Sequence, residues 1–210
     1  EEPQHVELGQ LAHAALEETL GALAGNPVPD ETGAARIASG VGAVVGRRLE
    51  SLLSEGVFGA PGLWRALADR MRRDLASFVV LEIDELRSRG FEVHRVELPT
   101  ERALPFGDVT LQIRGRADRV DRTPAGALRV SDYKYATPPG RGGFFDGGRR
   151  LQLPLYAWLL REDGTDVAEV RYVYLKPAPA NTELVTTRED LERHENDLKA
   201  LVGALADTAR

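Results

Sequence analysis

Two carboxylates and a lysine carry the clearest chemical potential in this sequence. Asp118 lies within Gly115-Arg116-Ala117-Asp118-Arg119-Val120-Asp121, and fourteen residues further on comes Asp132-Tyr133-Lys134. Residues 110 to 120 alternate Leu111, Ile113, Gly115 and Ala117 against Thr110, Gln112, Arg114, Arg116 and Asp118, the period of a half-buried strand. Leu128 to Tyr135 reads as the next strand, and Thr123-Pro124-Ala125-Gly126 between them supplies turn chemistry. A hairpin folding near residue 125 sets Asp118 opposite Asp132 and puts Lys134 on Asp132's face; a bulge would shift this by one residue. Two carboxylates so placed, with Cβ atoms about 5 Å apart, repel unless a cation or proton lies between them. Oxygen ligands of this kind suit Mg²⁺ or Mn²⁺, with waters or phosphate oxygens completing the shell. Lys134 would then orient or activate a water, or neutralise charge developing on a phosphate. The competing reading is that Arg114, Arg116 and Arg119 simply pair these acids in a solvated hairpin, and spacing alone favours it.

Several elements must position these groups. Residues 5 to 23 form an amphipathic helix with Val6, Leu16 and Leu20 on or near the face of His13, and Gly9 one turn earlier leaves room beside the imidazole. Taken alone, such a histidine reads more readily as structural. Residues 34 to 53 are a second helix, weakened by glycines at 40, 42 and 46, each costing up to about 1 kcal/mol relative to alanine. Pro61 opens a long helix that stops at Gly90 and carries a core stripe of Leu63, Leu67, Met71, Leu75 and Phe78. Phe91 to Leu98 is the first strand, with Glu97, a possible additional acid, leading into a turn around Pro99 and Pro105. Asp121 is expected to pin the hairpin through Arg119 or Arg122. The loop from 136 to 148 is rich in glycine and proline and holds Phe144 and Phe145, which either stack on splayed bases or pack beneath the loop. Gln152 and Tyr156 share a face of the next helix, with Pro154 tolerated in its first turn. They are either site residues or a buried polar pair tying helix to sheet. A strand over 167 to 175 and a helix over 187 to 206, capped at Thr187 or Asp190, close the chain.

Taken in order, these segments resemble the PD-(D/E)XK nuclease superfamily. Asp118, a hairpin and then Asp132-x-Lys134 look like its core motif. Leu8-Gly9-Gln10-Leu11-Ala12-His13-Ala14-Ala15-Leu16-Glu17 resembles the LGxxxHxxLE helix of the RecB/AddB-like branch, and Leu151-Gln152-Leu153-Pro154-Leu155-Tyr156-Ala157 resembles its QLxxYA helix. The resemblance implies an α/β fold: a restriction-endonuclease-like α/β/α core with a mixed central sheet and an N-terminal helical cap. It also implies that His13, Asp118, Asp132 and the Tyr133 backbone carbonyl hold Mg²⁺ or Mn²⁺. Lys134 would serve the attacking water, with Gln152 and Tyr156 turned toward the site. In many superfamily members an upstream acid assists; in this branch His13 fills the place Glu97 would take. The implied activity is metal-dependent hydrolysis of DNA, by an exonuclease acting on single strands or ends in recombinational repair, with a helicase domain or subunit as partner. The alternatives are a catalytically silent nucleic-acid-binding or scaffold module and an RNA-directed hydrolase.

Composition sets the remaining bounds. At 210 residues and 42% hydrophobic content the chain suits one domain, with residues 25–90 a helical subdomain and 91–210 the nuclease core joined by the His13 helix. It opens on Glu1 with the first motif following at once, so a piece of a longer protein is expected. No transmembrane run or secretory signal is visible, and the absence of cysteine fits a cytoplasmic setting. It also excludes, within these residues, the four-cysteine iron–sulfur cluster of many relatives. A net charge of −6 is unexpected for a polyanion binder. Arginines nevertheless cluster at 70, 72 and 73, at 114, 116, 119 and 122, and at 141, 149 and 150. The last two groups flank the site, and Arg116, Arg141, Arg149 and Arg150 read either as phosphate contacts or as solvated surface.

Overall fold

The hairpin around residue 125 forms, and the sheet grows outward from it. A computed structural model describes residues 5–54, 61–106, 109–138, 151–162, 164–176 and 182–208. Strands β2 (Val109–Arg122) and β3 (Leu128–Lys134) pair antiparallel, with Arg122 facing Leu128 and Arg119 facing Ser131, the register expected from the turn. Gly126 adopts φ 91°, a left-handed conformation that suits glycine, and its amide donates to the Thr123 carbonyl at 2.9 Å. β1 (Glu92–Phe106) adds antiparallel to β2, β4 (Val167–Tyr174) parallel to β3, and β5 (Thr182–Thr187) antiparallel to β4. Among the described residues the result is one mixed five-stranded sheet in the order β1-β2-β3-β4-β5.

Two features of this sheet depart from expectation. The turn placed at Pro99 and Pro105 is instead the second half of β1. Both prolines are accommodated because β1 is an edge strand, where one side of the backbone needs no ladder partner. β5 was also not foreseen; it is short and runs directly into a helix, so no separate turn signal announces it.

Helices cover both faces. On one side α1 (His5–Gly21), α2 (Glu31–Ser54) and α3 (Pro61–Arg89) bury Leu11, Val41, Met71 and Phe78 against Tyr133, Tyr135 and Val173 of the sheet. On the other, α4 (Gln152–Glu162) buries Leu153 and Ala157 against Val130, Val170 and Tyr172. Trp158, Leu159, Leu198 and Val202 join α4 to α5 (Arg188–Thr208). The expected α/β/α arrangement is therefore present, and from Glu169 onward β4, like β3, alternates between the two faces.

Local signals set most helix ends. Asp30 caps α2, its Oδ1 accepting the Gly33 amide at 2.8 Å. α3 begins at Pro61 and ends before Gly90, where the Phe91 amide reaches back to the Leu86 carbonyl at 2.9 Å. Its buried stripe is displaced from the expected one: Trp64 and Ala68 are buried, whereas Leu63 is 39% exposed. Val6, expected on or near the face of His13, is 63% exposed and lines a cleft together with it. Of the α2 glycines Gly46 packs closely, since a Cβ there would lie 3.0 Å from the Arg72 guanidinium of α3, whereas one on Gly40 would meet nothing within 4 Å.

Beneath α3 the sheet holds a buried ionic cluster. Arg119, Arg129 and Arg171, from β2, β3 and β4 in turn, are fully buried and directed at Glu82 and Glu85. Arg119 and Arg171 both donate to Glu82 Oε1, and Arg129 Nη1 and Arg171 Nη1 reach the two Glu85 oxygens at 2.8 and 2.7 Å. Asp121 Oδ2 accepts from Arg119 Nη2 at 2.8 Å and from Arg129 Nε at 2.9 Å, so Asp121 does pin the hairpin through Arg119. Burial alone would push the Glu82 carboxyl up; the surrounding guanidiniums outweigh it and hold the group well below the usual carboxylate range. Glu85 is lowered in the same way, chiefly by Arg171 and Arg129 against its own burial.

Removing one partner leaves guanidinium charge uncompensated, so Glu82→Gln is expected to cost about 3–5 kcal/mol in denaturant unfolding at neutral pH. Both carboxyls are depressed in the folded chain, so their stabilisation is complete above the ordinary value of 4.5 and is lost progressively as pH falls below it. Unfolding midpoints measured from pH 7 down to pH 3 should fall for the wild type and fall less steeply for Glu82→Gln. Equal slopes would show that the cluster does not govern acid stability.

Candidate metal centre and active site

The competing explanation of the hairpin, arginines pairing its acids, does not describe the molecule. Arg114 pairs with Glu101, Arg116 with Glu97, and Arg119 with Asp121 and Glu82. Asp118 and Asp132 have other charged partners, His13 and Lys134 respectively. Helix α1 is anchored by buried Leu11, Ala12, Ala15 and Leu16, which leaves His13 at its margin. There His13 Nε2 donates to the Tyr133 carbonyl at 2.7 Å, while Nδ1 lies 3.4 Å from Asp118 Oδ2. Burial would lower the imidazole pKa; Asp118 and the Tyr133 carbonyl outweigh it and raise it.

Asp118 takes the place of a backbone rung. The β2–β3 ladder ends at Arg119 and Ser131, and the Tyr133 amide is taken by Asp118 Oδ2 at 2.7 Å. The faces of β2 also change here. A Cβ on Gly115 would lie 2.3 Å from Tyr156 Cε1 of α4, and Ala117 packs in the same core, yet Arg119 reaches Glu82 of α3. On β1, Val96 packs with the α1–α3 core and Leu98 with the α4 core. The strict alternation read from the sequence therefore breaks at Asp118. Glu97, between Val96 and Leu98, has φ 50°, a strained conformation for a residue with a Cβ.

That irregularity brings Glu97 into the site. One ligand atom from each of His13, Glu97 and Asp118 lies within 4.8 Å of the others, which makes this the potential metal-holding group among the described residues. The sequence placed His13 ahead of Glu97; the structure brings both together. The missing signal was the β1–β2 pairing, hidden by the turn assigned to Pro99. Burial and then the Asp118 charge raise the Glu97 carboxyl, although Arg116 Nε, 2.7 Å from its Oε2, opposes them.

Asp132 is fully buried on β3 and shares a face with Lys134, whose Nζ lies 2.6 Å from Asp132 Oδ2. Among the described residues no other group hydrogen-bonds either Asp132 oxygen. Burial first, and the nearby Asp118 second, push the carboxyl up to about 6. Lys134 also donates to Gln152 Oε1 at 3.2 Å, Gln152 Nε2 donates to the Tyr156 hydroxyl at 3.4 Å, and that hydroxyl accepts the Arg116 amide at 3.0 Å. Gln152 and Tyr156 thus tie helix to sheet and face the Lys134 side at once. An open cleft of about 560 Å³ lies alongside, lined by Val6, Gly9, His13, Glu97, Arg116 and Asp118 among others. A Cβ on Gly9 would meet nothing within 4 Å, which bears out the expected space beside His13. Arg141, Phe144, Phe145, Arg149 and Arg150 lie outside the described residues.

The donor set fits a hard divalent cation. It combines an imidazole nitrogen, the Asp118 and Glu97 carboxylates, a carbonyl oxygen and a nearby buried carboxylate. The chain belongs to the PD-(D/E)XK nuclease superfamily, whose family model matches residues 1–210. Membership implies a metal-dependent nuclease that uses divalent ions. No curated protein matches the chain. Among solved structures it is similar to one titled "Crystal structure of SSO0001", with 20% identity, coverage of 95% of this chain and 87% of that chain, and a TM-score of 0.34, too low a likeness to support inference. No helix among the described residues is long and apolar enough to cross a membrane.

The Gly115–Tyr156 contact leaves no room for a methyl group. Gly115→Ala is expected to destabilise the fold by about 1–3 kcal/mol and to displace the Tyr156 ring. Denaturant unfolding together with near-ultraviolet circular dichroism checks both effects, and an unchanged spectrum at unchanged stability would refute the close packing.

Proposed function

We propose that this chain is a single nuclease domain of the RecB/AddB-like branch that hydrolyses DNA phosphodiester bonds with Mg²⁺ or Mn²⁺. In this reading it acts as an exonuclease on single strands or ends, serves recombinational repair, and works beside a helicase domain or subunit. The observation that carries it is the convergence of His13, Glu97 and Asp118, one ligand atom of each within 4.8 Å of the others, beside buried Asp132 and its partner Lys134. Burial and the Asp118 charge push the Asp132 carboxyl up to about 6 even with the Lys134 ammonium beside it, so the group of acids has room for further positive charge.

His13, Asp118, Asp132 and the Tyr133 carbonyl would hold the ion, with Glu97 as a further carboxylate. When bound, such an ion polarises a phosphate oxygen and lowers the pKa of water. The chain supplies the rest. Lys134 is aimed from two sides, by Asp132 and by Gln152, so its ammonium is poised to orient a water or stabilise charge on the phosphate. Tyr156 holds the Arg116 backbone, and Glu97 holds the Arg116 side chain at the cleft.

With Mg²⁺ or Mn²⁺ the protein should degrade linear single-stranded DNA, spare closed circles and lose activity in EDTA. Lys134→Ala and Asp132→Ala are each expected to lower the rate by about 10²-fold or more. DNA that is bound but left intact would overturn the enzyme reading in favour of a catalytically silent binding or scaffold module, and cutting of RNA alone would overturn the substrate. The ion site has its own readout: in Mn²⁺ titrations followed by electron paramagnetic resonance, His13→Ala and Asp118→Asn should weaken binding about tenfold or more. Glu97→Gln should also weaken it; an unchanged Mn²⁺ affinity would remove Glu97 from the ligand set.

A further inference from the structure

The arginines at 70, 72 and 73 take no part in the site described above. Arg72 is held by Asp69 and lies against Gly46, but Arg70 engages a different group. Its Nε is 3.9 Å from Asp74 Oδ2, and that same oxygen accepts the Tyr135 hydroxyl at 3.1 Å. Tyr135 directly follows Lys134. Over its ring stands Lys176, with Nζ 4.0 Å from the centroid.

Topology explains the meeting. β3 and β4 run parallel with Lys134 opposite Tyr174, so the residues that follow both strands emerge at the same end of the sheet. The Leu175 amide donates to the Lys134 carbonyl at 2.9 Å and the Lys176 amide to the Ala136 carbonyl at 3.3 Å. Lys176 is two positions beyond the Lys134 rung, about 7 Å along the strand direction. A guanidinium and an ammonium are thus gathered near one carboxylate, whose nearer oxygen is already shared with a phenol. Burial and the neighbouring Arg70 charge both push the Lys176 ammonium below its ordinary value, while Asp74 opposes them. An anion placed between these cations would relieve the repulsion, and a phosphate offers several oxygens to a guanidinium fork and an ammonium together.

We propose that Arg70 and Lys176 hold a backbone phosphate of the DNA strand on which the site acts, displaced along the strand from the phosphate at Lys134. This rests on the nuclease reading above. It gives Arg70 of the α3 arginine cluster a role and supplies local positive charge to a chain of net charge −6.

The test is equilibrium binding of a fluorescein-labelled single-stranded DNA by anisotropy, in EDTA and across a salt series, with Mn²⁺-dependent cleavage of the same DNA measured in parallel. Arg70→Ala and Lys176→Ala should each weaken binding about three- to tenfold and reduce the slope of log affinity against log salt by about 0.7, while Lys176→Arg retains both. If the wild type cuts DNA and the variants keep its affinity and slope, the phosphate site is refuted and the nuclease reading stands. A lowered melting temperature with an unchanged slope would also refute it, assigning Lys176 to packing on Tyr135. If the wild type neither binds nor cuts DNA, both proposals fall.

Discussion

Three guanidiniums on adjacent strands converge on one face of one helix, and the rest of the molecule is arranged around that meeting. Arg119, Arg129 and Arg171 come from β2, β3 and β4, the strands that carry Asp118, Asp132 and the parallel partner of Lys134. Their charge is met by Glu82, Glu85 and Asp121 in the same layer. Buried ion pairs are a weak source of net stability, because desolvation consumes most of the Coulombic gain. They are unforgiving of displacement, however: a slip of one strand by one residue would carry its arginine to the opposite face and strand an ion in an apolar core. The cluster therefore fixes register, and register places the acids of the site.

The site inherits its electrostatics from the same layout. Arg119 adjoins Asp118 and Ser131 adjoins Asp132, but the arginine side chains turn toward α3 and are consumed there. The charged partners of the acids at the end of the ladder are instead a histidine and a lysine. Burial and the Asp118 charge raise the Asp132 carboxyl against the pull of Lys134, and Asp118 with the Tyr133 carbonyl raises the His13 imidazole against its burial.

Elements with local signals were readable from the sequence. α3 runs from Pro61 to the residue before Gly90, and the hairpin closes with the register that its turn required. The site residues of that hairpin, His13 on α1, and Gln152 and Tyr156 on α4 also lie where the ordered motifs implied they would be brought together. What could not be read depended on distant partners. Pro99 and Pro105 signal a turn until it is known that their strand lies at an edge. Arg119, Arg129 and Arg171 look like surface residues because hydropathy cannot see Glu82 and Glu85 on a helix far away in sequence. Glu97 was visible as an acid, but its place beside Asp118 follows from the β1–β2 pairing, which those prolines concealed.

The change of face at Glu97 and Asp118 makes chain length itself a constraint. Upstream of Asp118 the odd-numbered Gly115 and Ala117 of β2 face the α4 core; downstream the odd-numbered Arg119 and Asp121 face α3 and Val120 takes the α4 side, and β1 switches beside it. Many side chains in this stretch can be exchanged with local consequences. A single residue gained or lost between Gly115 and Arg119 is different in kind, since it would exchange the occupants of two cores and withdraw the carboxylate from the seam between them. The stretch should thus accept substitutions during divergence while resisting insertions and deletions, and homologous sequences are expected to align across it without gaps.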